Sequence, residues 1–153
     1  MPIPNRHVGA AALVAVQFTL MALLATLALP TLGHGTAPSA AWVLWVLAGL
    51  VGFWALRANR PGNFNIRPTP RAGGQLVQHG PYRWVRHPMY TSVGCFAAGC
   101  AAAAGSASAW VAAVILAAVL IGKAALEERW MAEAHPGYAD YRRRSWRFVP
   151  WVF

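Results

Sequence analysis

All four carboxylates of this chain, Glu127, Glu128, Glu133 and Asp140, fall in one short segment. Glu127 and Glu128 follow directly on a long apolar run, and a carboxylate at that depth of a membrane is costly unless it faces a cavity, a partner or a cation. Adjacent helical residues point about 100° apart, so one of the pair can face inward while the other meets solvent or Lys123. A second constellation, Gly80-Pro81-Tyr82-Arg83-Trp84-Val85-Arg86-His87-Pro88-Met89-Tyr90, closes a polar stretch and opens another apolar run. Pro88 suits a first helical turn because it has no N–H to leave unsatisfied. Such a helix start can receive an anion, with Arg86 and His87 beside it. The two constellations together describe a ligand with an anionic and a cationic end. Each also has a plainer reading. The acids can balance Arg129 and the tail arginines on a solvated surface. The arginines near His87 can be topology anchors, with His87 as a cap and Tyr82, Trp84 and Tyr90 as an interfacial belt.

The elements that must position these residues are apolar helices. The 153-residue chain is 58% hydrophobic and 11% charged, and its apolar residues form long charge-free runs, as a bilayer-crossing helix requires. The pattern predicts an all-α, polytopic membrane protein of one domain with about four spans, at 8–29, 40–56, 88–104 and 109–126. A polar loop, 57–87, and a C-terminal segment, 127–153, complete it. The first run of about 22 residues corresponds to roughly 33 Å of helix, longer than a signal-peptide core. Pro30 to Ser39 reads as a turn, and Trp42 and Trp45 as interfacial aromatics. Gly94, Ala98 and Ala102 recur at four-residue spacing, which permits close helix contact. The fourth run leads without a break into Glu127-Glu128-Arg129-Trp130, so its helix is expected to continue beyond the membrane.

Thirteen Lys and Arg against four acids give +9. The basic residues cluster at the ends of apolar runs, which favours lipid headgroups and topology signals over nucleic acid. Their distribution, Arg6, then Arg57 to Arg86, then Arg142 to Arg147, places both termini and the loop on the cytoplasmic side. Cys95 and Cys100 lack the spacing of a zinc or disulfide framework and read as packing residues; no metal site is expected. The absence of a glycine-rich fingerprint after a strand excludes a Rossmann-type cofactor domain.

S-adenosylmethionine has the charges the two constellations call for: a carboxylate for the helix start, an ammonium for a glutamate, and a sulfonium for an aromatic face. The Gly80–Tyr90 run, then Glu127-Glu128, Tyr138, Tyr141 and Arg147-Phe148-Val149-Pro150, resembles the isoprenylcysteine carboxyl methyltransferase family and its phospholipid methyltransferase relatives. The resemblance spans about Asn63 to Pro150. It implies a membrane methyltransferase that uses S-adenosylmethionine, held by the central loop, the Arg-His-Pro motif and the Glu-Glu helix. Gln75, Leu76, Val77, Tyr82, His87, Tyr90, Glu127 and Glu128 are then cofactor-pocket candidates. Arg86 is the catalytic, substrate-side candidate, with the tail arginines beside it. The acceptor is expected to be lipophilic, a prenylcysteine-like carboxylate being one candidate. Eukaryotic members are longer, with additional spans. A non-catalytic membrane scaffold and a sterol-reductase-like nicotinamide enzyme are the rival readings. A dinucleotide phosphate would call for clustered basic residues, whereas the glutamate pair favours a cation.

Overall fold

The computed structural model describes residues 5–59 and 76–152, with side chains from Gly9 onward. Five α-helices account for most of them: α1 (Asn5–Gly33), α2 (Ser39–Ala58), α3 (Pro88–Ala104), α4 (Ala107–Ala134) and α5 (Tyr138–Arg143). A short 3-10 turn, Gly80–Arg83, precedes α3. Among the described residues the chain is all-helical, apart from one isolated bridge between Val85 and Trp146.

α1, α2 and α4 are long and apolar enough to cross a membrane. The 17 residues of α3 make about 25 Å of helix, at the short end of a spanning length, and α3 packs against all three of the others. The bundle is inverted relative to a soluble protein. Large apolar side chains such as Phe18, Leu50, Phe53 and Val114 point outward, Val114 being 66% exposed. The interior holds alanines of every span, among them Ala28, Ala41, Ala101 and Ala109, around Leu24 and Leu116. In hydrocarbon no hydrophobic force drives helices together, so close approach by small residues supplies the contact. Cys100 belongs to this core and Cys95 is half-buried.

Three sequence expectations are corrected. Pro30 lies inside α1, which continues to Gly33, so the turn is shorter than Pro30–Ser39; a proline in an apolar span is tolerated where the freed backbone finds other partners. The close approach on α3 occurs at Gly99, where an added Cβ would stand 2.7 Å from Trp45 Nε1 and 3.3 Å from the Ala41 carbonyl oxygen; at Gly94 it would meet nothing within 4 Å. Trp45 therefore packs into the α2–α3 seam, while Trp42 remains exposed. We expect Gly99→Ala to destabilise the bundle by about 1–3 kcal/mol through overpacking, with Gly94→Ala near neutral. Denaturant titration of both variants in detergent checks this, and equal stability of the two would contradict it.

Ser92 Oγ donates to the Ala48 carbonyl at 2.7 Å, a second link in the α2–α3 seam. Gly105, in the left-handed conformation at φ 59°, ends α3, and the Ser106 hydroxyl caps α4 by accepting from Ala109 N at 3.3 Å. The 28 residues of α4 extend over about 42 Å. As expected from the sequence, this helix runs on past the apolar stretch and carries Glu127 and Glu128 with it.

Candidate functional site

The antiparallel order brings the start of α3 beside the far end of α4, and the C-terminal segment folds back over both. That return is held by backbone bonds: Trp146 N donates to the Trp84 carbonyl at 2.9 Å, Arg86 N to the Trp146 carbonyl at 2.8 Å, and His87 N to the Arg147 carbonyl at 3.1 Å. Thr91 Oγ1 adds a bond to the Phe148 carbonyl at 2.8 Å. Tyr141 Oη donates to the Tyr82 carbonyl at 2.7 Å, fixing α5 under the 3-10 turn. Gly80 sits there at φ 61°, and a Cβ on it would stand 2.8 Å from that of Ala58, so the turn lies directly on α2.

His87 lies between the two glutamates. Its Nδ1 is 3.3 Å from Glu127 Oε2 and its Nε2 is 3.3 Å from Glu128 Oε1. A neutral imidazole has one N–H donor, whereas the imidazolium has two; two carboxylates therefore call for the protonated ring. Burial works against that charge, but the hydrogen bonds and charges of Glu127 and Glu128 outweigh it and hold the His87 pKa above the usual imidazole range. The stability this charge confers is thus complete below the unfolded value of about 6.5 and is lost as pH rises through the higher folded value. We expect unfolding in detergent to become easier as pH is raised above neutrality, and the His87→Gln variant to lose that component. A variant with the wild-type pH profile would contradict the bridging role.

The glutamates differ. Glu128 is 4% exposed and saturated with cations. It accepts from Arg86 Nε at 2.9 Å and from Arg147 Nε and Nη2 at 3.1 and 2.9 Å, and Arg142 Nε lies 3.9 Å away. The hydrogen bond to Glu128 is also the main reason the Arg147 pKa is raised. Glu127 is 20% exposed and accepts a hydrogen bond from Tyr90 Oη. The Tyr90 ring stacks on His87, centroids 5.4 Å apart and 4° from parallel, and Phe148 flanks both rings. Burial first, then the charge of Glu127, pushes the Tyr82 pKa up to about 12 against a hydrogen bond with Asn59, so its phenol keeps its proton.

The structure thus brings together Arg86, His87, Tyr90, Glu127 and Glu128, with Tyr82 linked through Glu127 and α5. Leu76 and Val77 are half-buried in the segment without regular structure that leads into the 3-10 turn. Gln75 lies outside the described residues. Arg86 is committed to Glu128, to the carbonyls of Ser145 and Arg142, and to Ser145 Oγ at 3.4 Å. Arg147 was only one of several tail arginines in the sequence; its partnership with Glu128 depends on the return of the tail, for which the sequence carries no spacing signal. Gln17 and Lys123, bonded at 2.5 Å, were also missed as a pair. A lone amide within an apolar span is the signal that could have found them. Chemically, the cluster offers one saturated carboxylate that ties three elements together, and a second, partly open carboxylate among aromatic rings.

An inverted bundle of apolar helices, with a charged cluster where the tail closes over the start of α3, defines a polytopic helical membrane protein whose site lies at one end of its spans. The chain belongs to the phospholipid methyltransferase family, whose model matches residues 40–137, more than half of the chain. It is a methyltransferase-family protein of the membrane, as the resemblance implied. The matched stretch begins at α2 and takes in the whole glutamate pair, but leaves out α1 and Arg147. No curated protein and no solved structure matches the chain.

Proposed function

We propose that this chain transfers a methyl group from S-adenosylmethionine to a lipophilic acceptor at the cytoplasmic face of the bilayer. The observation that carries the reading is the asymmetry of the glutamate pair: Glu128 is spent on Arg86, Arg147 and His87, while Glu127 keeps an open side next to Tyr90 and His87. A carboxylate beside aromatic rings suits a ligand that is cationic and partly apolar. Within the family such a ligand is the methyl donor, and the donor set fits it. Glu127, beside the Tyr90 ring, would face the sulfonium instead of the ammonium expected for a glutamate from the sequence, the Tyr82–Tyr90 wall would hold the body, and the backbone of Leu76 and Val77 the remaining polar edge.

When bound, the donor would supply a methyl group activated by its sulfonium, which the acceptor's lone pair takes up as the neutral thioether leaves. The protein's share is alignment and the exclusion of water. Phe148 and the returning tail close the site on one side, and the apolar outer faces of α1, α2 and α4 make lateral entry from the lipid the natural route for an acceptor. Arg86 acts through Glu128, to which it is bonded, and we assign it to positioning; in the same reading the exposed tail arginines Arg142, Arg143 and Arg144 meet the acceptor's polar group or the lipid surface. The arginine distribution supports cytoplasmic termini. No observation favours the scaffold or reductase readings.

The reading is tested by incubating membranes that contain the protein with methyl-labelled S-adenosylmethionine and extracting the lipids. Label should enter the organic phase with wild type and not with Glu127→Ala. Organic-phase label equal to that of membranes lacking the protein, across membranes of several lipid compositions, would contradict a lipophilic acceptor.

A further inference from the structure

α1 lies outside the stretch the family model matches, yet one of its side chains bonds a residue that borders the site. Gln17 is a buried amide within an apolar helix, and its Oε1 accepts from Lys123 Nζ at 2.5 Å across the α1–α4 contact. Lys123 is 1% exposed and, among the described residues, is the largest of the fully buried side chains. Its ammonium lies 5.0 Å from the centroid of the Tyr90 ring, and Tyr90 Oη donates to Glu127. Lys123 and Glu127 are four residues apart on α4, hence on one face. A carbonyl oxygen and a ring face are neutral partners, so the nearest charge in register with this ammonium on its own helix is Glu127. An ionisable group placed inside an apolar bundle is expensive, and its retention marks a role.

We infer that Lys123, fixed in place by Gln17, is a specificity-determining residue of the donor site, setting how far that site favours a sulfonium over the neutral thioether left after transfer. The inference rests on the S-adenosylmethionine reading. In the transfer the methyl carbon–sulfur bond breaks, its electron pair stays on sulfur, and the methyl bonds to the acceptor's lone pair; sulfur goes from cationic to neutral. An uncompensated Glu127 would bind the sulfonium more tightly than the transition state, in which that charge is already dispersed, and would slow the reaction. The Lys123 charge removes this excess. Gln17 holds the ammonium against Tyr90, and through it the first span acts on the site.

The test is calorimetric. Dissociation constants for S-adenosylmethionine and S-adenosylhomocysteine are measured on full-length wild type, Lys123→Met, Lys123→Arg and Gln17→Glu in detergent. The two ligands share every atom but one methyl, so a loss of packing away from that methyl weakens both by the same factor, and Lys123→Arg, which keeps the charge, controls for packing beside it. Lys123→Met is expected to shift the ratio of the two constants toward the sulfonium by about threefold or more, and Lys123→Arg to keep the wild-type ratio. Gln17→Glu sets a carboxylate against the ammonium and is expected to shift the ratio in the same direction, which covers a Lys123→Met protein that does not fold. Wild-type binding of both ligands with an unchanged ratio in the folded variants overturns this inference alone. A wild type that binds neither ligand overturns the donor reading, and this inference with it.

Discussion

Glu128→Ala is expected to destabilise the protein by about 3–5 kcal/mol, the usual cost of removing one partner from a buried ion pair and leaving the other uncompensated. The cost is large here because three groups lose their acceptor at once. Arg86, Arg147 and the Nε2 of His87 all converge on this carboxylate, and they come from the start of α3 and from the tail. Without it, two guanidinium groups and an imidazolium remain packed together with Glu127 as their nearby acid. The tail, held by backbone bonds of Trp84, Arg86 and His87, would be pushed away by their repulsion. Thermal unfolding in detergent, followed with wild type and Glu127→Ala in parallel, gives the comparison. A Glu128→Ala protein as stable as wild type would mean that the cluster is not what joins the tail to the bundle.

Glu127→Ala is expected to behave differently, folding while losing about 10- to 100-fold in affinity for S-adenosylmethionine, the range for deleting one charge-assisted hydrogen bond. Glu127 is the more exposed acid, and its partners Tyr90 and His87 keep other contacts: the two rings stack on each other, and His87 keeps Glu128. Its removal therefore leaves less unpaired charge than that of Glu128. Calorimetry on the folded variant reads the effect. Wild-type affinity in Glu127→Ala would remove this residue from the ligand site and leave the pair with a purely structural role.

Much of this arrangement was legible in the sequence, for a physical reason. Bilayer-crossing helices announce themselves by long charge-free runs, so the apolar bodies of α1, α2 and α4 could be read from the sequence, and the continuation of α4 through Glu127 followed from the unbroken pattern. The proximity of the Arg-His-Pro segment to the glutamate pair could be expected from an antiparallel order of spans. What failed were local rules taken over from water. Pro30 reads as a stop signal, yet α1 continues through it because hydrocarbon offers the backbone no better alternative than a helix. The Gly94, Ala98, Ala102 spacing pointed to a contact face, while the tight approach falls at Gly99, since which small residue meets a neighbour depends on where Trp45 projects from α2. The division of labour between Glu127 and Glu128 was not legible either. It follows from the tail folding back to supply Arg147, a contact set by tertiary backbone bonds rather than by periodicity. Gln17 and Lys123 lie over a hundred positions apart, and only the packing of α1 on α4 makes them partners.

Whether the Glu127 side of the cluster is a methyl-donor site is decided by calorimetric titration of S-adenosylmethionine and S-adenosylhomocysteine into the wild-type protein, in detergent and again in lipid nanodiscs. Saturable binding of both at one site per chain is expected, abolished or strongly weakened in Glu127→Ala. Well-folded wild-type protein that binds neither ligand in either environment would contradict the assignment of this site to a methyl donor.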